Sequence, residues 1–283
     1  MPALYPPNVG HIHGIHSIAT RSTKHLGCLL ASFASIPLDA MVRQIGKMNL
    51  QPSVILRLPF VDFGNRQISA FVRALGLNCL THVYSPLWRE LFDFAFNQEQ
   101  WTSTIPQLNP HWFTALTPDW KASCALRTDI MRRQALLELD VLTAQAIGLS
   151  LKDLLTLYRL RFRVMYNYEK NTWYDQNGRI VSTQNRGMSN CGLPNRKRAK
   201  DADEGITYRK NGYSVDAQGL GFEDIKDMKE GYIEKTFPDI SMSDEPVMTT
   251  VKYVAPFFQM DREADYQRAW KVFENRFGRN PCV

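Results

Sequence analysis

The sequence predicts an α+β chain that is mostly helical and carries a β-hairpin in its C-terminal half. Three observations predict it. Apolar residues recur at helical spacing from Ser22 onward, a long amphipathic run extends from Leu126 to Ser150, and two β-prone runs flank Asp175, Gln176, Asn177 and Gly178. With 44% hydrophobic and 11% aromatic residues in 283, the chain can bury real cores, which excludes a disordered polypeptide.

Taken in order, "PPNVGHIHGIHS" reads as loop. Ser22 can N-cap a helix whose Leu26, Leu29, Leu30, Phe33 and Ala34 share a face. Pro37 fits the first turn of a second helix, with Leu38, Met41, Val42 and Ile45 on one side and Gly46 as its stop. "SVILRLPF" reads as a short strand, Arg66 to Leu75 as a helix closed by Gly76, and "SPLWRELFDFAF" as another helix. The Trp- and Pro-rich stretch from Trp101 to Trp120 lacks a period and reads as an ordered connector, so the domain boundary is expected there, dividing 1–120 from 121–283.

In the second part, Ile130, Leu137, Val141 and Ala144 form an apolar stripe, with Arg132, Arg133, Glu138 and Asp140 largely off it and therefore expected outside. Ser150 then caps "LKDLLTLYRLRF". Asn177 and Gly178 favour the positive φ of a hairpin turn, "NRKRAKDADE" reads as solvated loop, and "VMTTVKYVAPFF" as a strand. "DREADYQRAWKVFENRF" closes as a helix capped by Asp261, with Ala264, Trp270 and Phe273 or Phe277 available for packing.

Five scattered cysteines without C-x-x-C spacing argue for reduced thiols rather than a disulfide framework or zinc site. The apolar runs are too short or too interrupted to span a bilayer, and no basic leader precedes an apolar core, so a cytoplasmic protein without a membrane partner is expected. Residues 1–80 carry Arg21, Lys24, Arg43, Lys47, Arg57, Arg66 and Arg73 against Asp39 and Asp62, which is a net +5 of the chain's +6. Such a local excess suits a polyanion, because Lys and Arg neutralise phosphates and release counterions.

Three constellations can carry chemistry. His11, His13 and His16 could approach a metal, but only His25 stands near as a fourth ligand. Gly219, Gly221, Asp224 and Lys226 suggest a nucleotide loop or a metal nuclease, yet no convincing strand precedes them and Asp216 is a poor second carboxylate. The third is "VRQIGKMNLQ", where Arg43, Gln44, Lys47, Asn49 and Gln51 cluster; Arg, Gln and Asn can each pair two bonds with a base edge. A solvated helix end and a DNA-facing loop account for that cluster equally well. No nucleophile elbow, phosphate-binding Gly-Lys-Ser/Thr loop or His-Glu-x-x-His occurs, so no metal is assigned and no catalytic residue is named.

Read together, "LASFASIPLDAMVRQIGKMNLQPSVILRLPF", "ALGLNCLTHVYSPLWRELFD", "LRTDIMRRQALLELDVLTAQAIGLSLKDLLTLYRLRF", "NTWYDQNGRIV" and "APFFQMDREADYQRAWKVFE" resemble, in order, the C-terminal region of adenine-specific DNA methyltransferases of restriction-modification and phage-defence systems in bacteria. The resemblance implies that the part through Phe60 ends a target-recognition domain. It implies double-stranded DNA as a partner, with a methyltransferase core on another chain. In that family, an Asn/Asp-Pro-Pro-Tyr/Phe motif holds the flipped adenine in an S-adenosylmethionine fold. This chain lacks it: "YPPN" at Tyr5–Asn8 has the prolines without the leading acid or amide or the trailing aromatic. S-adenosylmethionine is therefore expected on the partner core, with no cofactor in this chain. Residue chemistry assigns phosphate contacts to Arg21, Lys24, Arg43 and Lys47, and base or loop contacts to Gln44, Asn49 and Gln51. The alternatives are an assembly module of a defence complex, resting on the amphipathic helix and the aromatic connector, and a metal-dependent nuclease.

Overall fold

The computed structural model describes residues 3–6, 9–10, 17–45, 52–183, 192–198, 200–216, 219–240 and 245–278. Among them the helices are α1 (Thr23–Phe33), α2 (Ile36–Gln44), α3 (Pro52–Ile55), α4 (Gln67–Asn78), α5 (Ser85–Leu91), α6 (Asp129–Ala146), α7 (Leu151–Arg161), α8 (Arg163–Lys170), α9 (Lys200–Asp203) and α10 (Arg262–Phe277). The strands are β1 (Trp173–Tyr174), β2 (Ile180–Ser182), β3 (Thr207–Lys210), β4 (Tyr213–Ser214), β5 (Tyr232–Asp239), β6 (Val247–Val254) and β7 (Phe258–Gln259). The chain is α+β and mostly helical, as expected. It divides into two compact units, one of residues 1–127, 131–163 and 262–283, the other of 128–130 and 164–261. This differs from the split expected at residue 120, because α6, α7 and α10 pack with the N-terminal helices.

The helical unit is organised around α6. Ala135, Leu137, Leu139, Val141, Leu142 and Ala144 are all fully buried, so most of the helix surface is enclosed, with Arg132 and Leu136 half-buried. Arg133, Glu138 and Asp140, expected outside, are buried too. Each has a distant partner: Arg133 bonds Asp265 at 2.8 Å, Glu138 pairs with Arg73, and Asp140 accepts from Arg262 at 2.9 Å, the Tyr266 hydroxyl at 2.6 Å and the Ile36 amide at 2.8 Å. A charge leaves water at tolerable cost only when it is paired and hydrogen-bonded, and these are. Burial pushes the Asp140 carboxyl up, against the pull of Arg262, Tyr266 and Ile36.

Local chemistry sets the other helices. Pro37 sits in the first turn of α2, and Ser150 caps α7 through a reciprocal box with Asp153, whose carboxyl these bonds lower. Helix α4 does not stop at Gly76 but runs to Asn78. Gly76 is required there by packing, since a Cβ would lie 2.8 Å from the Trp112 ring. "SVILRLPF" is not a strand: Pro52 opens α3, and Arg57 and Leu58 continue with turn bonds to Val54 and Ile55. Cys28, Cys79 and Cys124 are buried free thiols, and burial pushes Cys79 up to about 12. No single helix is long and apolar enough to cross a membrane; α1 and α2 pass together on length and composition but are bent 77° apart, and Leu30, Ala31, Ile36 and Leu38 are buried in this unit.

The second unit holds two antiparallel sheets, ordered β2-β1-β7 and β4-β3-β5-β6. The expected hairpin forms β1 and β2, with Gly178 at φ +75° and Asn177 outside the positive-φ region. The strand expected in "VMTTVKYVAPFF" is β6 of the four-stranded sheet, whose other strands the sequence reading lacks, although Asn211 and Gly212, at φ +51° and +85°, make the turn between β3 and β4 in the same dipeptide chemistry. The "NRKRAKDADE" block is not all solvated loop: Lys200–Asp203 is helical, and buried Asp201 accepts from the Tyr208 hydroxyl at 2.6 Å. Ile206, Tyr208, Ile233, Phe237 and Tyr253 form the core with Leu220, Phe222 and Ile225.

Gly221 is the tightest point of that core. A Cβ there would lie 2.6 Å from the backbone of Arg196 and Lys197, which cannot swing aside as a side chain can. Gly221→Ala is expected to cost about 1–3 kcal/mol by overpacking. Urea unfolding of the variant against the wild type measures it, and an unchanged midpoint would show that the crossing of the two segments is looser than described.

Candidate nucleic-acid interface

Of the side chains expected to meet nucleic acid, Arg43 and Gln44 stand exposed on the last turn of α2. The Arg43 guanidinium bonds Asp39 four residues back at 3.0 Å and lies 5.0 Å from the centre of the Phe162 ring. Phe162, itself buried, ends α7. On either side of it in the chain, Arg161 and Arg163 are exposed, and neither has an ion pair or hydrogen bond among the described residues. Arg159, one turn earlier, is held by Glu263 through its Nε at 2.7 Å. The contact of Arg43 with Phe162 thus joins the last turn of α2 to the α7–α8 junction, where Arg161 and Arg163 flank Phe162 in the chain. Sequence reading missed Arg161 and Arg163, whose signal was the spacing of arginines in "YRLRFR".

Arg21 and Lys24 are exposed elsewhere, at the start of α1. The path from there to Arg43 runs along α1 and then α2, about 16 and 13 Å long from their residue counts. A cation in the first turn opposes the helix dipole, so Lys24 does not serve helix stability. The local field is not purely positive, since Glu90 accepts from Thr23 at 3.0 Å. Lys47, Asn49 and Gln51 lie outside the described residues, as do His11, His13 and His16.

Two of the seven cations counted in residues 1–80 leave the surface. Arg73 is completely buried: burial pushes its guanidinium down, but Glu138 and Glu99 outweigh that and raise it. Arg66 is 6% exposed, bonded to Gln145 at 3.2 Å and the Gly278 carbonyl at 2.8 Å, with its pKa lowered by burial. The expected basic surface is therefore smaller than the charge count, and Arg161 and Arg163, at the junction of α7 and α8, add to it instead.

Among the described residues no three His, Cys, Asp or Glu side chains converge as metal ligands. Asp224 accepts from the Gly221 amide at 3.0 Å and closes a short 3-10 turn, so the glycines at 219 and 221 serve backbone packing rather than a phosphate cradle. A cleft of about 360 Å³ in the helical unit is lined by Asn78, Thr81, Tyr84 and Arg132 among apolar residues, without a carboxylate, histidine or cysteine. Arg132 there donates to the carbonyls of Leu77 and Leu126, at 3.1 and 3.0 Å. No protein-family model, curated protein or solved structure matches the chain.

Proposed function

We propose that this chain is a DNA-binding specificity region of a restriction-modification or phage-defence N6-adenine DNA methyltransferase, working in the cytoplasm with a methylase core on another chain. The observation that supports the DNA-binding part is the contact of Arg43 with Phe162, which sets the exposed end of α2 against the chain segment carrying Arg161 and Arg163, both exposed and without acidic partners among the described residues. Guanidinium groups free of internal partners are suited to phosphate oxygens, and the neighbouring amide of Gln44 to a base edge. The ordered resemblance of the quoted stretches supports the methyltransferase context. Arg21, Lys24 and Lys47 would add phosphate contacts, and Asn49 and Gln51 base contacts. The core would bring S-adenosylmethionine and flip the adenine, and this chain would hold the duplex.

The assembly alternative rests on α6 and the aromatic connector, and most of α6 together with Trp101 and Trp112 is buried. Gel shifts on duplex DNA across a salt series test the proposal. The wild-type affinity is expected to fall steeply with salt. Arg161→Ala with Arg163→Ala is expected to weaken binding about tenfold or more and to reduce the logarithmic salt slope by about two, one for each lost phosphate contact. Absence of duplex binding at low salt, or an unchanged slope in the double variant, would overturn it.

A further inference from the structure

The edge of the four-stranded sheet carries an inference independent of DNA. Strand β6 pairs with β5 over its whole length, Asp239 opposite Val247 through Tyr232 opposite Val254, and its other side is the border of the sheet. Part of that border is closed. Val254 donates to Asp175 at 3.1 Å and accepts from the Gln176 amide at 3.0 Å, and Arg179 reaches the Lys252 carbonyl at 3.1 Å.

Backbone groups of an antiparallel strand alternate in direction, so Met248 and Thr250 point the same way as Val254 and Lys252. Their amides and carbonyls have no partner among the described residues. Natural edges are blunted by charges, prolines or bulges. From Val247 to Val251 there is no charge and no proline, and Val247 and Met248 are 55% and 57% exposed.

We infer that this border pairs antiparallel with the same border of a second copy of the chain. The open groups are self-complementary in one register. With Met248 opposite the second copy's Thr250, about a two-fold axis at Thr249, every open donor and acceptor on both residues is used. In that register Pro246, which has no amide hydrogen, falls opposite the second copy's Lys252, whose carbonyl Arg179 already occupies. The Pro246 carbonyl is left to accept the Lys252 amide. Shifting the axis to Thr250 would instead set the Met248 amide against a carbonyl that Arg179 holds. Self-complementarity about a two-fold is what a closed dimer requires, and the fit of Pro246 to the Lys252 carbonyl already held by Arg179 is a match that a second copy supplies.

Light scattering over a concentration series, with two variants, tests this. Thr250→Pro removes the outward amide and leaves the backbone bonds to β5 intact, as proline permits on an edge, while giving up the hydroxyl bond to Thr236 at 2.8 Å. It is expected to weaken dimerisation by at least about tenfold with an unchanged circular dichroism spectrum. Thr249→Cys places two thiols in a non-hydrogen-bonded pair, close enough for a disulfide. Mild oxidation should give a cross-linked dimer that the wild type, with its own cysteines, does not give. A wild-type chain monomeric at every concentration, or a dimer that persists in Thr250→Pro, would overturn the inference. Should the proline variant misfold, failure of Thr249→Cys to cross-link beyond the wild-type level would overturn it equally.

Discussion

Replacing Glu138 with alanine is expected to lower the unfolding free energy of the helical unit by about 3–5 kcal/mol. One carboxylate oxygen accepts from the Thr102 amide at 2.7 Å, the Thr102 hydroxyl at 2.6 Å and the Gln134 amide at 2.8 Å. The other meets the Nε of Arg73. Removing the carboxylate strands these donors and leaves Arg73 with Glu99 as its remaining counter-charge, at 3.1 Å. Arg73 is completely buried and lies within 6 Å of the Trp101, Phe113 and Phe273 rings, away from bulk water. Glu138→Gln keeps an acceptor for Thr102 and should cost less. Arg73→Met combined with Glu138→Leu should cost less than Glu138→Ala, since apolar groups of similar volume remove the orphaned charge. Urea denaturation of the three variants measures the order. A double variant as unstable as Glu138→Ala would show that hydrogen-bond geometry, not the unpaired charge, dominates.

Asp175→Ala is expected to cost the second unit about 3 kcal/mol or more. Asp175 is fully buried, and its carboxylate accepts from the amides of Asn177 at 2.9 Å, Arg179 at 2.8 Å and Val254 at 3.1 Å. Each buried donor left without a partner costs about 1–3 kcal/mol, reduced where water enters. The side chain therefore does two things: it shapes the turn between β1 and β2, and it fastens that turn to the end of β6. Amide hydrogen exchange separates them. Protection at Arg179 and Val254 should fall together in Asp175→Ala, and Asp175→Asn should retain part of it. Loss at Arg179 alone would mean that the turn and the end of β6 are held separately.

Where a structural decision rests on neighbours in the chain, the sequence was legible. Ser150 with Asp153, Pro37 in the first turn of α2, and Gly178 between two β-prone runs are each decided within a few residues. "RKNGYS" carried an equally local signal and was not read. Residues whose fate depends on distant partners were misplaced. Periodicity sets a charge on the outside by default, and nothing near Glu138 or Asp140 in sequence reveals Arg73 or Arg262. Apolar content made "SVILRLPF" look like a strand, whereas Pro52 starts a helical turn. At the candidate site the sequence pointed to Arg43 and Gln44. It could not show that Arg43 packs on Phe162, between Arg161 and Arg163 in the chain.

The second unit is an insertion in the first, and the order of synthesis gives this a consequence. When Arg163 has left the ribosome, α6 already carries Arg133 and Asp140, yet their partners Asp265, Arg262 and Tyr266 lie about a hundred residues ahead. Until α10 emerges, enclosing α6 would bury these charges without α10's counter-charges. The nascent helical unit has to wait partly open while the inserted unit can already close, so α10, made after the insertion, is the helix that locks the earlier helices in place.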